Sequence, residues 1–424
     1  MVRPKVTILY WHSYRNSTRS GLGRNKKWDG YTSWSYLEAD RDYVKYPLVE
    51  QVDRVPAYDF GLDKAQEERV EGLLEGNIVI SLHEHLNVFP AERTPGTRRR
   101  PFTGYEGLAY SGMDAVFDNC VCSTYDQVIN YLGLRQCDYA HQDFVVPALK
   151  VRDITDAFEE GRVAVIQTIE QASAIDRDVD TIDLLFGLGV RSMGIVYSES
   201  NTLGSGLSEL GDGGLTDLGY DAVRRMNRTG IVIDVSHAGD RTAMDVVEAS
   251  DKPLCISHCG SRTLTDNARM LPDEVYQVMA EKGGVVGMEV AGFAPRTEKN
   301  PEGTIECLLE HLEYLVDLLG VDYIGAGPDT LWGDHAGLYR GGPMGTVRQR
   351  LGNGHYTRDR PSALPEIFDS GDMVRDLDYI RGLESPSEFG NIAKGLVRDG
   401  YSDDEIAKVM GLNGLRVIKA CWPK

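Results

Sequence analysis

From Asn77 onward the chain alternates between two rhythms. Short apolar, β-branched runs recur: "NIVISL", "AVFDNCV", "VAVIQTI", "RSMGIVY", "GIVIDVS", "PLCIS", "GVVGMEV" and "YIGAGP". Runs of this length and composition predict strands, and near-continuous apolarity predicts strands buried on both faces. Between most of them lie stretches with helical spacing. The pattern predicts helices over 217–228, 240–249, 272–281 and 305–319. Thr216 stands as an N-cap before the first, and Gly230 and Gly283 close two of them. Eight strands alternating with helices predict an α/β protein, a (β/α)8 TIM barrel.

Two stretches fall outside that rhythm. Residues 1–75 are rich in Tyr, Trp, Arg and Asp with weak periodicity, and read as an N-terminal extension packing on the barrel formed by 76–424. Residues 331–385 are rich in Gly, Pro and Arg without periodicity, and read as a long active-site loop after strand 8. Closing helices are predicted over 388–398 and 403–410, the latter capped by Ser402.

The 424 residues carry a formal net charge of −20, which disfavours nucleic acid and anionic membrane surfaces as partners. No apolar run is long enough to span a bilayer, and the first twenty residues lack a signal-peptide core, so a cytoplasmic setting is expected. The seven cysteines, an odd number spread over the chain, do not suggest a disulfide framework and fit a reducing compartment.

The chemistry gathers at the strand ends. "VISLHEH" ends in His83 and His85, "VAVIQTIE" in Glu170, "IVIDVSH" in His237, "PLCISH" in His258 and "YIGAGPD" in Asp329. Barrel enzymes keep their active sites at this C-terminal end. Residues i and i+2 of a strand share a face, so His83 and His85 aim together while Glu84 turns away. A lone strand-end histidine is more often a hydrogen-bonded structural residue. Four histidines and two carboxylates converging on one mouth point instead to two divalent metal ions with one carboxylate shared. The donor set suits zinc best, with manganese, cobalt or iron as alternatives. His311 falls mid-helix and reads as structural, His335 and His355 as loop residues that could reach substrate. Cys255 and Cys259 read as packing residues, because no second cysteine pair completes a zinc finger.

These residues, with the run from "GLTDLGYDAVRR" to "GVVGMEV" and the tail "GYSDDEIAKVMGLNGLRVIKA", resemble the membrane dipeptidase (renal dipeptidase, peptidase M19) family over residues 77–422. The resemblance implies that His83 and Asp329 bind one metal, His237 and His258 the other, and that Glu170 bridges them. It further implies that Asp329 carries the catalytic proton, that Arg269 holds a substrate carboxylate, and that a metal-bridged hydroxide attacks a dipeptide-like amide. Family members are often dimers, so a homodimer is also implied. Two positions depart from the pattern. His85 stands where the family has aspartate, which removes one negative charge, and Tyr197 stands where it has a histidine near the scissile carbonyl. Both leave open a non-peptide amide hydrolase, a metal-dependent lyase or decarboxylase, or a ligand-binding accessory protein without turnover.

Overall fold

The computed structural model describes residues 26–45, 48–53, 55–88, 100–290, 295–330, 332 and 380–423. The eight predicted strands all form: β1 (Ile80–Glu84), β2 (Ala115–Cys120), β3 (Val163–Ile169), β4 (Val190–Gly194), β5 (Val232–Asp234), β6 (Cys255–Cys259), β7 (Val285–Met288) and β8 (Ile324–Ala326). Each pairs in parallel with the next, and β8 pairs with β1 through Ala326 and Ser81, so the sheet closes into a barrel. Every residue of these strands is buried, as strands packed on both faces require.

The helices follow the sequence closely. Asp240–Ala249 and Ile305–Leu319 match the predicted ranges, and Asp217–Thr229 extends its range by one residue. Thr216 caps that helix by accepting from the Gly219 amide, and Gly230 ends it with φ of 96°. The predicted helix over 388–398 resolves into a 3-10 turn (Pro386–Glu388) and a helix (Asn391–Arg398). The last predicted helix does not stop at 410. Asp403–Ala407, capped by Ser402, leads to a kink at Gly411, whose φ of 176° is not helical, and a second helix, Asn413–Cys421, follows. That C-terminal helix joins Leu415, Ile418 and Trp422 to Ala115, Ala164, Val232, Cys255 and Val285 in one apolar cluster. These are residues from the starts of the strands, so the cluster closes the barrel end opposite the mouth.

Three features were not anticipated. A short strand, Val145–Pro147, pairs with the first half of β3. Two two-residue strands, Asn87–Val88 and Phe102–Thr103, pair antiparallel. Third, one local disulfide is present where a reducing compartment was expected. Cys120 and Cys122 form a disulfide, because the chain bends as it leaves β2 and brings their Cα atoms to 5.3 Å. Cys255, Cys259, Cys307 and Cys421 are free and buried, as packing residues are.

Of the extension expected over 1–75, residues 1–25 lie outside the described residues. Its described part is tied down by Asp138, which accepts hydrogen bonds from Tyr31 (2.8 Å), Ser33 (2.7 Å) and the Trp34 amide (3.1 Å). The loop expected over 331–385, with His335 and His355, also lies outside them, apart from Trp332 and 380–385. Among the described residues no helix is long and apolar enough to cross a membrane.

Candidate metal centre

The strand ends deliver the predicted side chains to one place. His83 and His85 project from β1 and its end with their Nε2 atoms 3.3 Å apart. Next to them, with the His258 ring centroid 3.5 Å from that of His83, the Nε2 atoms of His237 and His258 lie 2.9 Å apart. Glu170, at the end of β3, reaches both pairs. Its Oε1 is 3.2 Å from His237, 3.5 Å from His258 and 3.7 Å from His83, and its Oε2 is 3.5 Å from His85. Asp329, just past β8, places Oδ1 3.7 Å from His83 and 3.5 Å from His85. The donors therefore fall into two groups able to hold a cation, His83–His85–Asp329 and Glu170–His237–His258. His237 and Asp329 carry positive φ, 67° and 55°, a strained backbone that places these side chains where relaxed chain would not.

Hydrogen bonds behind the donors settle which nitrogen faces inward. His85 Nδ1 lies 2.9 Å from the Asn119 carbonyl, which can only accept, so Nδ1 carries the proton and Nε2 a lone pair. His83 Nδ1 and His258 Nδ1 lie 3.2 and 2.8 Å from the same atom, the Ser257 hydroxyl oxygen. That hydroxyl donates to Asp234 Oδ2 in a short contact. With its one proton given, that oxygen can only accept from the imidazoles, as it can from the Ser236 hydroxyl 3.3 Å away. Both imidazoles are then held as Nδ1–H tautomers with the Nε2 lone pair turned toward the other donors of the centre. A third constellation able to hold a cation, His83–Asp234–His258, lies on the Nδ1 side around Ser257, and its donors are committed to these hydrogen bonds. Beneath the network the strands approach closely. A Cβ on Gly287 or Gly327 would lie 2.1 or 1.9 Å from the Ser257 carbonyl oxygen, so neither position accepts a side chain.

The electrostatics call for cations. Glu170 Oε2 and Asp329 Oδ1 are buried and accept no hydrogen bond. Burial pushes the Glu170 carboxyl up to about 8 against the pull of Arg269. Burial, then Glu170 and Glu289, raise Asp329 well above the usual carboxylate range. Burial holds His237 and His258 far below the ordinary imidazole range. Crowded lone pairs and stranded carboxylate oxygens are what a divalent ion relieves, and imidazole with carboxylate is a donor set for zinc and its neighbours.

Tyr197 and Arg269 also reach the mouth. The Tyr197 ring stacks on His237 with centroids 4.2 Å apart. Arg269 donates from Nη2 to the His258 carbonyl (2.7 Å) and forms an ion pair through Nε with Glu289 Oε2 at 3.0 Å. Glu289 was missed from the sequence, although the same signal pointed to it: a carboxylate directly after "VVGM", at the end of β7. Glu84 turns away from the mouth as predicted. Its Oε2 accepts from the Thr330 amide, the Thr330 hydroxyl and the Trp332 indole, at 3.0, 2.7 and 2.8 Å. His311 is structural, accepting from the Ser261 amide through Nδ1 (3.0 Å).

The profile of the membrane dipeptidase family, peptidase family M19, matches residues 116–337, more than half of the chain. The chain belongs to this family. A protein encoded in the PQQ-III 3′ region of Acinetobacter calcoaceticus is 31% identical over 215 residues, covering 48% of this chain and 68% of that protein. Dipeptidase tcpJ of Claviceps purpurea is 24% identical over 72% of this chain, which spans 61% of that enzyme's length. Among solved structures, an amidohydrolase from Pseudomonas aeruginosa superposes with a TM-score of 0.67 at 25% identity, covering 84% of this chain and 99% of its own. The probable dipeptidase PvdM from the same organism shares the fold at 0.63 and 18%, covering 85% of this chain and 99% of its own. Membership of the membrane dipeptidase family makes the chain a dipeptidase-like metallohydrolase, on the (β/α)8 barrel read from its strands.

Proposed function

We propose that this membrane dipeptidase family member uses two divalent ions, zinc by preference, to hydrolyse the amide bond of a dipeptide or dipeptide-like substrate. The observation that carries the reading is Glu170, one buried carboxylate whose oxygens face both histidine pairs. His83, His85 and Asp329 would hold one ion, His237 and His258 the other, and Glu170 both. When bound, such ions supply a water of lowered pKa and polarise a carbonyl.

The chain's own groups do the rest. Asp329 Oδ1, free of hydrogen bonds, takes the proton released at the mouth and returns it to the leaving nitrogen. Tyr197, stacked on His237, orients the carbonyl end of the substrate, and Arg269 holds its far side. Asn119 and Ser257 keep the imidazoles turned inward throughout.

Metal analysis of purified protein, followed by assay of zinc- and manganese-loaded enzyme against L,L- and L,D-dipeptides, N-acyl amino acids and cyclic amides, tests this. Two ions per chain and cleavage of a dipeptide-like amide are expected, with Glu170→Gln losing at least one ion. A chain that binds no metal, or that binds it and cleaves nothing, overturns the reading.

A further inference from the structure

Beside the metal donors lies a pair of atoms whose ligand group the mechanism above leaves unspecified. Arg269 Nη1 and Glu289 Oε2 are both buried and both lack a hydrogen-bond partner. The side chains are 11% and 4% exposed, and they are joined through Arg269 Nε and Glu289 Oε2 at 3.0 Å. That contact is an ion pair, and Oε2 accepts no geometrically well-formed hydrogen bond. Arg269 Nη2 is committed to the His258 carbonyl, so only Nη1 remains to meet a ligand. The guanidinium is thus within one residue's reach of the candidate centre, and its charge is already balanced by Glu289. Glu289 in turn adds repulsion at Asp329 and Glu170.

A buried donor and a buried acceptor on adjacent groups of opposite charge form a neutral, two-pronged surface. A substrate carboxylate offers only acceptors. It could take the Nη1 hydrogen but would face Glu289 in a poorly solvated mouth, where like charges repel strongly. A carboxamide offers a carbonyl oxygen to Nη1 and an N–H to Glu289 Oε2, and satisfies both stranded atoms at once. We infer that Arg269 and Glu289 together form a subsite for a neutral amide group of the substrate, and that Glu289 is the residue that excludes a free carboxylate there. The preferred substrates are then dipeptide-like molecules whose end beyond the scissile bond is an amide, either C-terminally amidated or carried on into a further amide linkage. This rests on the hydrolase reading only for where the substrate lies.

Binding and turnover separate the two claims. Phosphinate mimics of Ala-Ala that end in a carboxylate or in a carboxamide are titrated calorimetrically into the metal-loaded protein, and the matching dipeptides are assayed for cleavage. The wild-type protein should bind the carboxamide mimic at least tenfold more tightly. Glu289→Gln, which removes the anion at nearly constant shape, should erase or reverse that preference by strengthening the carboxylate mimic. Equal or tighter wild-type binding of the carboxylate mimic overturns the inference without recourse to any variant. So does an unchanged ratio in folded Glu289→Gln, or no binding of the carboxamide mimic. A preference for the carboxamide in binding, with no cleavage of either dipeptide, would instead sink the hydrolase reading and leave the subsite standing.

Discussion

Ser257 gives its only proton to Asp234, and this turns its lone pairs toward two neighbouring imidazoles, His83 and His258, whose ring centroids lie 3.5 Å apart. One hydroxyl therefore sets the tautomer of His83, from one candidate metal group, and of His258, from the other. Replacing it by alanine leaves two Nδ1–H groups without acceptors and frees both rings to turn. Ser257→Ala should weaken metal binding by roughly ten- to a hundredfold, the usual loss when the group behind a ligand histidine is removed. Competition against a chelating dye measures this directly, with circular dichroism to confirm the fold. Unchanged affinity would mean that strand packing alone orients the rings.

Asp329 has a different kind of test. Its Oδ1 lies within 3.7 Å of His83 and His85, yet those two rings and Glu170 hold most of the donor set without it. Asp329→Asn keeps a coordinating oxygen but removes the ability to take a proton. The expected result is retained metal with kcat lower by about 10²- to 10⁴-fold, the range for a lost general acid–base group. Normal kcat in a metal-loaded Asp329→Asn enzyme would exclude Asp329 as the proton carrier.

Glu84 anchors the exit of β8. Its carboxylate gathers three donors from Thr330 and Trp332, and a fourth from the Ser81 hydroxyl at 2.9 Å. Glu84→Ala would strand these donors inside the protein, at a cost on the order of 3–5 kcal/mol from unmade hydrogen bonds. A clear fall in Tm is expected, with faster hydrogen exchange at the Thr330 amide and lower kcat, because Thr330 adjoins Asp329. Trp332→Phe removes only one of the four bonds and should show a milder form of each effect.

Glu388 predicts a pH dependence remote from the mouth. Burial, reinforced by neighbouring Glu384, raises its carboxyl to about 8. The unfolded chain ionises this group near the ordinary glutamate value of about 4.3. Above that pH the unfolded state holds fewer protons, so stability falls as pH rises and levels off once the folded carboxyl has also ionised, above about 8. Glu388→Gln should raise Tm by a few degrees at pH 8 and leave it nearly unchanged at pH 4. A Tm difference that is the same at both pH values would place the effect in packing instead.

Much of this architecture is legible in the chain because barrel strands announce themselves. A buried parallel strand must be apolar almost throughout, so a histidine or carboxylate at its end stands out, as His83, Glu170, His237, His258 and Asp329 do. Helix limits were readable where a side chain caps the end, at Thr216 and Ser402, and were missed at 408–412, where Gly411 breaks the helix because the Ile78 carbonyl leaves no room for a Cβ. Val145–Pro147 is too short to show a period. The groups behind the ligands were hidden for another reason. Ser257 and Asp234 are ordinary strand residues until the barrel closes, and the partners of Glu84 lie 246 and 248 positions away. Glu289 was legible and overlooked. Its strand end carries the same kind of signal, but its partner Arg269 belongs to a loop whose course no local pattern reveals.

The closure of the barrel between β1 and β8 has a consequence for synthesis. Glu170, His237 and His258 leave the ribosome within one continuous stretch of chain, and their group is complete once β6 has been made. His83 and His85 emerge before them, but Asp329 follows only after two further strands, and its amide then bonds to the His83 carbonyl at 3.2 Å. A nascent chain can therefore present one complete ligand group while the other still waits for its last member. The two halves of this centre differ in age on every molecule the cell makes.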